Sequence, residues 1–216
     1  MARRRRRGEE SRTVHKLCSL LLQYPDAELL AARAELRDAV RGLGRSGAAE
    51  PIERFLDWLD ATEEVAIAQH YVETFDLHKR SGLYMTFYSD GDRRERGTAL
   101  LRLRQLYRAA GLPQEGGGEL PDYLPVMLEF AAAAPDGRGE VVLREHRAAL
   151  ELVRLSLRDA GTPYAALLEA VCEAVGEASP AERALAGKLA AGGPPQELVG
   201  LEPFAPPEVM PVEARR

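Results

Sequence analysis

Apolar residues recur at helical spacing along most of this chain. Val14, Leu17, Cys18, Leu21 and Leu22 stand at i, i+3, i+4, i+7 and i+8, so a helix here buries one face. Tyr24-Pro25-Asp26 interrupts that pattern, and Asp26 is placed to cap a second helix carrying Leu29, Leu36, Val40 and Leu43. The glycine-bearing stretch from Gly42 to Gly47 ends it. Pro51 opens a third helix with Ile52, Phe55, Leu56 and Leu59 inward; proline is tolerated there because its missing N–H has no helical partner anyway. A fourth helix, from about Thr62 to Phe75, sets Val65, Ala68, Val72 and Phe75 along one stripe.

The same pattern resumes after residue 92. Asp92 and Glu95 form a capping-box pair ahead of a helix with Leu100, Leu103, Tyr107 and Ala110 buried, and Gly111 stops it. A glycine-rich loop from Gln114 to Gly118 leads to a helix with Leu124, Met127, Leu128 and Ala131, ended by Pro135. One long segment then carries Val142, His146, Ala149, Val153 and Leu157. Thr162-Pro163 opens a helix whose Tyr164, Leu167, Leu168, Val171, Cys172 and Val175 make the cleanest stripe of the chain. Ser179 to Glu182 is a second capping box, heading a short helix with Leu185 and Leu189. Six prolines between Pro194 and Pro211 exclude a helical tail. The pattern predicts an all-α protein: one helical-bundle domain over 14–192, a disordered basic arm over 1–13 and an extended proline-rich tail over 193–216.

One window departs from this rhythm. Between Tyr71 and Asp92 stand five aromatic residues, Tyr71, Phe75, Tyr84, Phe87 and Tyr88. Leu83 to Tyr88 alternates like a strand, with Leu83, Met85 and Phe87 on one side and Tyr84, Thr86 and Tyr88 on the other. A lone strand leaves its backbone groups unpaired, and no second run offers a clear partner. Such a segment either plugs the core or borders a groove for an apolar peptide. The alternation assigns Tyr84 and Tyr88 to the outward side and Phe87 to the core.

Composition narrows the functional classes. Leu and Ala dominate a chain that is 45% hydrophobic and 29% charged, as in a globular helical protein. No apolar run approaches the ~20 residues of a membrane span. Cys18 and Cys172 both fall on apolar stripes and read as buried reduced thiols, which fits a cytoplasmic address. Arg3 to Arg7 is an unbroken basic run in a chain of net charge −5. It is not followed by the apolar core of an export signal, and the first 12 residues have no apolar face to bury, so folding and binding are predicted to proceed without them.

Catalytic and metal-binding patterns are sparse. There is no phosphate-binding loop, no HExxH pair and no nucleophile motif, so no catalytic residue and no metal ligand is assigned. His70 and His78 flank the aromatic window near Asp76, which keeps a helical enzyme as one alternative. Arg93, Arg94, Arg96, Arg102, Arg104 and Arg108 share one helix and, with Arg3 to Arg7, keep a nucleic-acid binder as another. Aromatics are not interleaved with these arginines as in single-strand binders, and the helix reads first as a solvated face.

The run YVETFDLHKRSGLYMTFYSDGDRRERG, with ELPDYLPVMLEFAA some twenty residues on, resembles the NarJ family of nitrate reductase assembly chaperones, also labelled the delta subunit. The opening LCSLLLQYPD is similar too, and the likeness extends over about residues 14–190. Two motifs of the wider redox-enzyme maturation chaperones map onto it. The aromatic-x-x-Leu-Phe pattern falls on Tyr71, Thr74 and Phe75, with Thr74 in place of the usual leucine. The Glu-Pro-x-Asp-His pattern falls on Glu119, Pro121, Asp122 and Tyr123, with the proline displaced by one and Tyr123 in place of histidine. The resemblance implies an all-α cytoplasmic chaperone, not an enzyme. Its implied partner is the N-terminal leader of the nitrate reductase catalytic subunit, held while molybdenum cofactor is inserted. It implies no stably bound cofactor, no nucleic acid and no direct membrane insertion. The expected peptide-binding residues are Tyr71, Phe75, Asp76, Tyr84, Tyr88, Asp122 and Tyr123, with Glu73, Asp90 and Asp92 as further carboxylates for a basic leader.

Overall fold

A computed structural model describes residues 2–44, 46–77, 81–90, 94–114 and 118–192. These form α1 (Ala2–Leu21), α2 (Ala27–Ala31), α3 (Arg33–Gly42), α4 (Ala49–Ala61), α5 (Glu64–Phe75) and α6 (Met85–Asp90). They continue with α7 (Arg94–Ala109), α8 (Leu124–Ala133), α9 (Arg138–Glu145), α10 (Arg147–Asp159), α11 (Tyr164–Val175) and α12 (Pro180–Gly192). The all-α expectation holds.

The helix with the cleanest apolar stripe takes the central place. Tyr164, Leu167, Leu168, Val171, Cys172 and Val175 of α11 are all buried, and α11 packs against α1, α4 and α10. α1 lies along α8 in the most extensive helix pair, and Val14, Leu17, Cys18 and Leu21 of α1 and Met127, Leu128 and Ala131 of α8 are all buried. α8 and α9 meet so closely at Gly139 that a Cβ there would fall 2.2 Å from Cα of Ala131. Only glycine permits that approach.

Two local signals act as the spacing predicts. Asp26 caps α2 by accepting from the Leu29 N–H at 2.9 Å. Ser179 Oγ accepts from the Glu182 N–H at 3.2 Å while Glu182 accepts from the Ser179 N–H at 2.6 Å, completing the reciprocal box.

Other expectations are corrected. The arm over 1–13 is not disordered across residues 2–13, which are the first turns of α1. Ser11 is buried and donates to the Ala174 carbonyl at 3.5 Å, and Arg12 donates to the Ala134 carbonyl at 3.2 Å. Extending a helix already anchored by Val14 and Leu17 needs no new nucleus. The second predicted helix divides at Ala32 into α2 and α3, and the long segment after Gly139 divides at His146. The inward stripe of α5 is Ile67, Tyr71, Thr74 and Phe75, while Val65 is 70% exposed. Leu185 is likewise outside, and Ala186 takes the buried position on α12. The capping role of Asp92 and the tail over 193–216 lie outside the described residues, as do His78 and Arg93.

Candidate functional site: an aromatic and acidic edge

The aromatic window does not continue as a strand. Tyr84 makes a single β-bridge, and the chain then turns into α6 at Met85. The backbone partner that the strand pattern lacked is the segment around Tyr123. Tyr84 and Tyr123 form an isolated antiparallel bridge, with Leu124 N–H bonded to the Leu83 carbonyl at 2.7 Å and Met85 N–H to the Asp122 carbonyl at 2.9 Å. Tyr84 and Tyr123 therefore sit opposite each other between two hydrogen bonds, the pairing in which side chains approach most closely. Their rings lie 5.3 Å apart.

Asp122 holds this junction from inside. It is fully buried, and its Oδ2 accepts from Thr86 N–H at 3.2 Å and from the Thr86 hydroxyl at 2.5 Å. That carboxylate caps the first turn of α6 from a distant part of the chain. Arg96 of α7 completes the cluster, with Nη2 3.7 Å from Asp122 Oδ2 and Nε donating to Thr86 Oγ1 at 3.4 Å. Tyr107 donates to the Pro121 carbonyl at 2.7 Å and fixes the same loop from the other side. Asp122 is thus placed as a fastening group, away from any surface a peptide can reach. Tyr88 is interior as well, donating to the Gly82 carbonyl at 2.7 Å. The expected division between Tyr88 and Phe87 is reversed: Phe87 is half-buried, with the Arg96 guanidinium 5.8 Å from its ring centroid. Helical rather than alternating geometry after Met85 causes the reversal, because helical neighbours do not alternate between two faces.

The remaining expected residues gather at one edge. Tyr71 donates to the Leu22 carbonyl at 3.2 Å, which leaves Tyr123 to donate to Tyr71 Oη at 3.1 Å. Tyr84 donates to Glu119 at 3.0 Å. Phe75 packs on Tyr71 at 4.8 Å and on the buried Tyr164 at 4.9 Å, so it backs the edge rather than lining it. Burial raises the Tyr71 hydroxyl, with the Tyr123 bond and nearby charges adding to the shift. Burial also raises Tyr123; the Tyr71 bond opposes this, while the carboxylates of Glu119 and Asp76 reinforce it. Burial and the Glu119 bond push Tyr84 up to about 12. Asp76 and Glu119, both exposed, therefore act on the same hydroxyl of Tyr123 from separate loops.

The pattern reading missed Tyr24. It is 52% exposed and its ring stands edge-on to Tyr71 at 5.5 Å. From Tyr24 a groove of about 320 Å³ continues between the end of α1 and the α2–α3 pair, lined by Leu20, Leu29, Ala32 and Leu36 with Asp26 and Glu28. Tyr24 belongs to a Tyr-Pro-Asp break, and break chemistry alone carries no sign of a binding role. Leu77, 70% exposed beside Asp76 in sequence, adds a further apolar side chain after α5.

Of the catalytic alternative, His78 lies outside the described residues. His70 Nε2 lies 2.7 Å from Thr162 Oγ1, and its ring stacks on Tyr164 at 6.0 Å, so it is engaged with α11. Among the described residues no three His, Cys, Asp or Glu side chains gather as a metal site. On α7, Arg96 turns inward to Asp122 and Arg102 pairs with Glu145 at 2.9 Å, which splits the expected arginine face.

The fastened loop, the aromatic edge and the carboxylate fringe sit together on one helical bundle. A crystal structure from Archaeoglobus fulgidus described as a redox enzyme maturation protein shares the fold, with a TM-score of 0.56 at 24% identity over 74% of this chain and 90% of that one. Residues 43–170 match the nitrate reductase delta subunit family, and the chain belongs to it. The chain is 35% identical to a Bacillus subtilis protein described as "Probable nitrate reductase molybdenum cofactor assembly chaperone NarJ", over 73% of this chain and 85% of that protein. It is 30% identical to the NarJ chaperone of Escherichia coli K12, over 71% of this chain and 65% of that one. The nitrate reductase-like protein NarX of Mycobacterium tuberculosis matches at 36% over 74% of this chain, which spans only 24% of NarX.

Proposed function

We propose that this protein is a nitrate reductase assembly chaperone, not an enzyme. It binds the N-terminal leader of the catalytic subunit in the cytoplasm and holds that subunit while molybdenum cofactor is inserted. The relatives named as assembly chaperones support the general role. The observation that carries the leader-binding reading is the edge itself: the Tyr84 and Tyr123 rings pair at 5.3 Å with Glu119 bonded to Tyr84, and Tyr24, edge-on to Tyr71, borders the Leu20–Leu29–Leu36 groove. An amphipathic helix lays its apolar side into such a groove, and basic residues at one end meet the carboxylates. Partly exposed tyrosines suit this task because they supply large contact area with few rotatable bonds. No cofactor is held by the chaperone itself; the cofactor is cargo for the bound subunit.

The test is titration of the full chain with a fluorescent synthetic leader of the cognate catalytic subunit. Saturable binding is expected, weakened by added salt and abolished by Glu replacing Leu29 in the groove. A leader that binds no better than a scrambled peptide of equal charge would overturn the proposal.

A further inference from the structure

Arg3 to Arg7 occupy less than two turns at the start of α1. The first turn of α1 contains no acidic residue. Positive charge at a helix N-terminus opposes the helix dipole, so the run is not there to stabilise its own helix. Arg6 pairs with Glu10 at 3.1 Å, yet its side chain is 80% exposed, where such a pair contributes little. Arg7 is exposed and has no ion-pair partner among the described residues. The chain has net charge −5, so without these five positive charges the remainder stands at −10. One short helical end therefore carries a concentrated positive charge on an otherwise acidic molecule.

We infer that this end of α1 docks the protein on an anionic phospholipid surface. A single bound phosphate is a poorer match. The cleft of about 520 Å³ beside Arg6 and Arg7 is also lined by Glu10 and Glu173, and the Glu173 carboxylate already lies against Gly47 at the entry to α4. A nucleic acid is a poorer match too. Five residues cover about 7.5 Å of helix, and a polyanion following the surface beyond them meets the acidic body. Several other arginines are committed to carboxylates, as in Arg37 with Asp60 and Arg102 with Glu145. A planar array of headgroups meets the positive end alone, while salt screens the body over a Debye length of about 8–10 Å. From Ala2 to Glu10 the helix has only one apolar residue, Ala2, so contact is superficial and electrostatic rather than inserted.

The test is flotation of the full chain with vesicles of phosphatidylglycerol and phosphatidylcholine in equal parts, against pure phosphatidylcholine. Binding is expected only to the anionic vesicles, falling about tenfold or more between roughly 50 and 200 mM salt. Replacing Arg3 to Arg7 with glutamine is expected to lower that binding about a hundredfold or more. A variant with only Arg3, Arg4 and Arg5 replaced keeps the Arg6–Glu10 pair and should fall between the two, with helical content checked by circular dichroism. Equal binding to neutral vesicles, no binding at all, or no loss in either arginine variant would overturn the inference. Tighter binding of the same chain to a single-stranded RNA or a DNA duplex at matched salt would also overturn it.

Discussion

Two clusters built from neighbouring residues of the same two segments behave differently. Asp122, Thr86 and Tyr88 close inward, with every side chain buried and joined to Gly82 or Arg96. Tyr84 and Tyr123, one or two positions away along the chain, face outward with Glu119 and Asp76 beside them. The bridge at Tyr84 and Tyr123 sets those two side chains on one side and Asp122 on the other, and the turn into α6 at Met85 then carries Thr86 and Tyr88 inward. The same short motifs thus supply a buried fastening and a partly exposed aromatic edge. Their residues cannot be assigned to one role as a block.

The inner cluster is where substitutions should cost most stability. Tyr88→Ala empties a packed site and removes the bond to Gly82, with an expected loss of about 3–5 kcal/mol. Asp122→Ala removes the buried carboxylate that accepts from Thr86 and pairs with Arg96, at an expected cost of about 3 kcal/mol. Denaturant unfolding measures both. Leader affinity should fall only in proportion to the unfolded fraction.

A buried polar group outside both clusters sharpens the comparison. His15 is fully buried at the α1–α8 seam, and neither ring nitrogen has a hydrogen-bond partner among the described residues. Burial lowers its pKa to about 4, below the ordinary 6.5. The unfolded chain therefore binds the proton more readily than the folded one. Its stabilising effect is complete above about pH 6.5 and is lost as pH falls toward 4, reaching about 3 kcal/mol. Glu9, Asp136 and Glu140 line the adjoining cavity of about 490 Å³. Unfolding at pH 7 and pH 4.5 should show this loss in the native chain, with a smaller pH dependence in His15→Gln.

Much of this fold was legible from spacing, and the failures have physical reasons. The α11 stripe and the caps at Asp26 and Ser179 depend on neighbours within one turn, so local pattern carries them. Tyr88 was misplaced because a six-residue run of aromatic and apolar side chains satisfies both a strand and a short helix. What decides between them is Asp122, which caps α6 from 36 residues away. Tyr24 escaped notice because its role comes from Tyr71, a ring brought alongside by packing of α5 against the end of α1.

Loss of a single hydroxyl behind the outer cluster should cost less stability. Tyr71→Phe removes the bonds to Leu22 and Tyr123 but keeps the packing against Phe75 and Tyr164, for an expected loss of about 1 kcal/mol. A thermal melt checks the size.

The most direct measurement is the leader affinity of Tyr84→Ala by calorimetric titration, beside its melting temperature. Truncating a partly exposed contact ring should weaken binding by about 1–2 kcal/mol, roughly five- to thirtyfold, while the melting temperature stays within a few degrees of the native value. Unchanged leader affinity in a fully folded Tyr84→Ala protein would contradict the account, because the outward cluster would then not be the surface that meets the peptide.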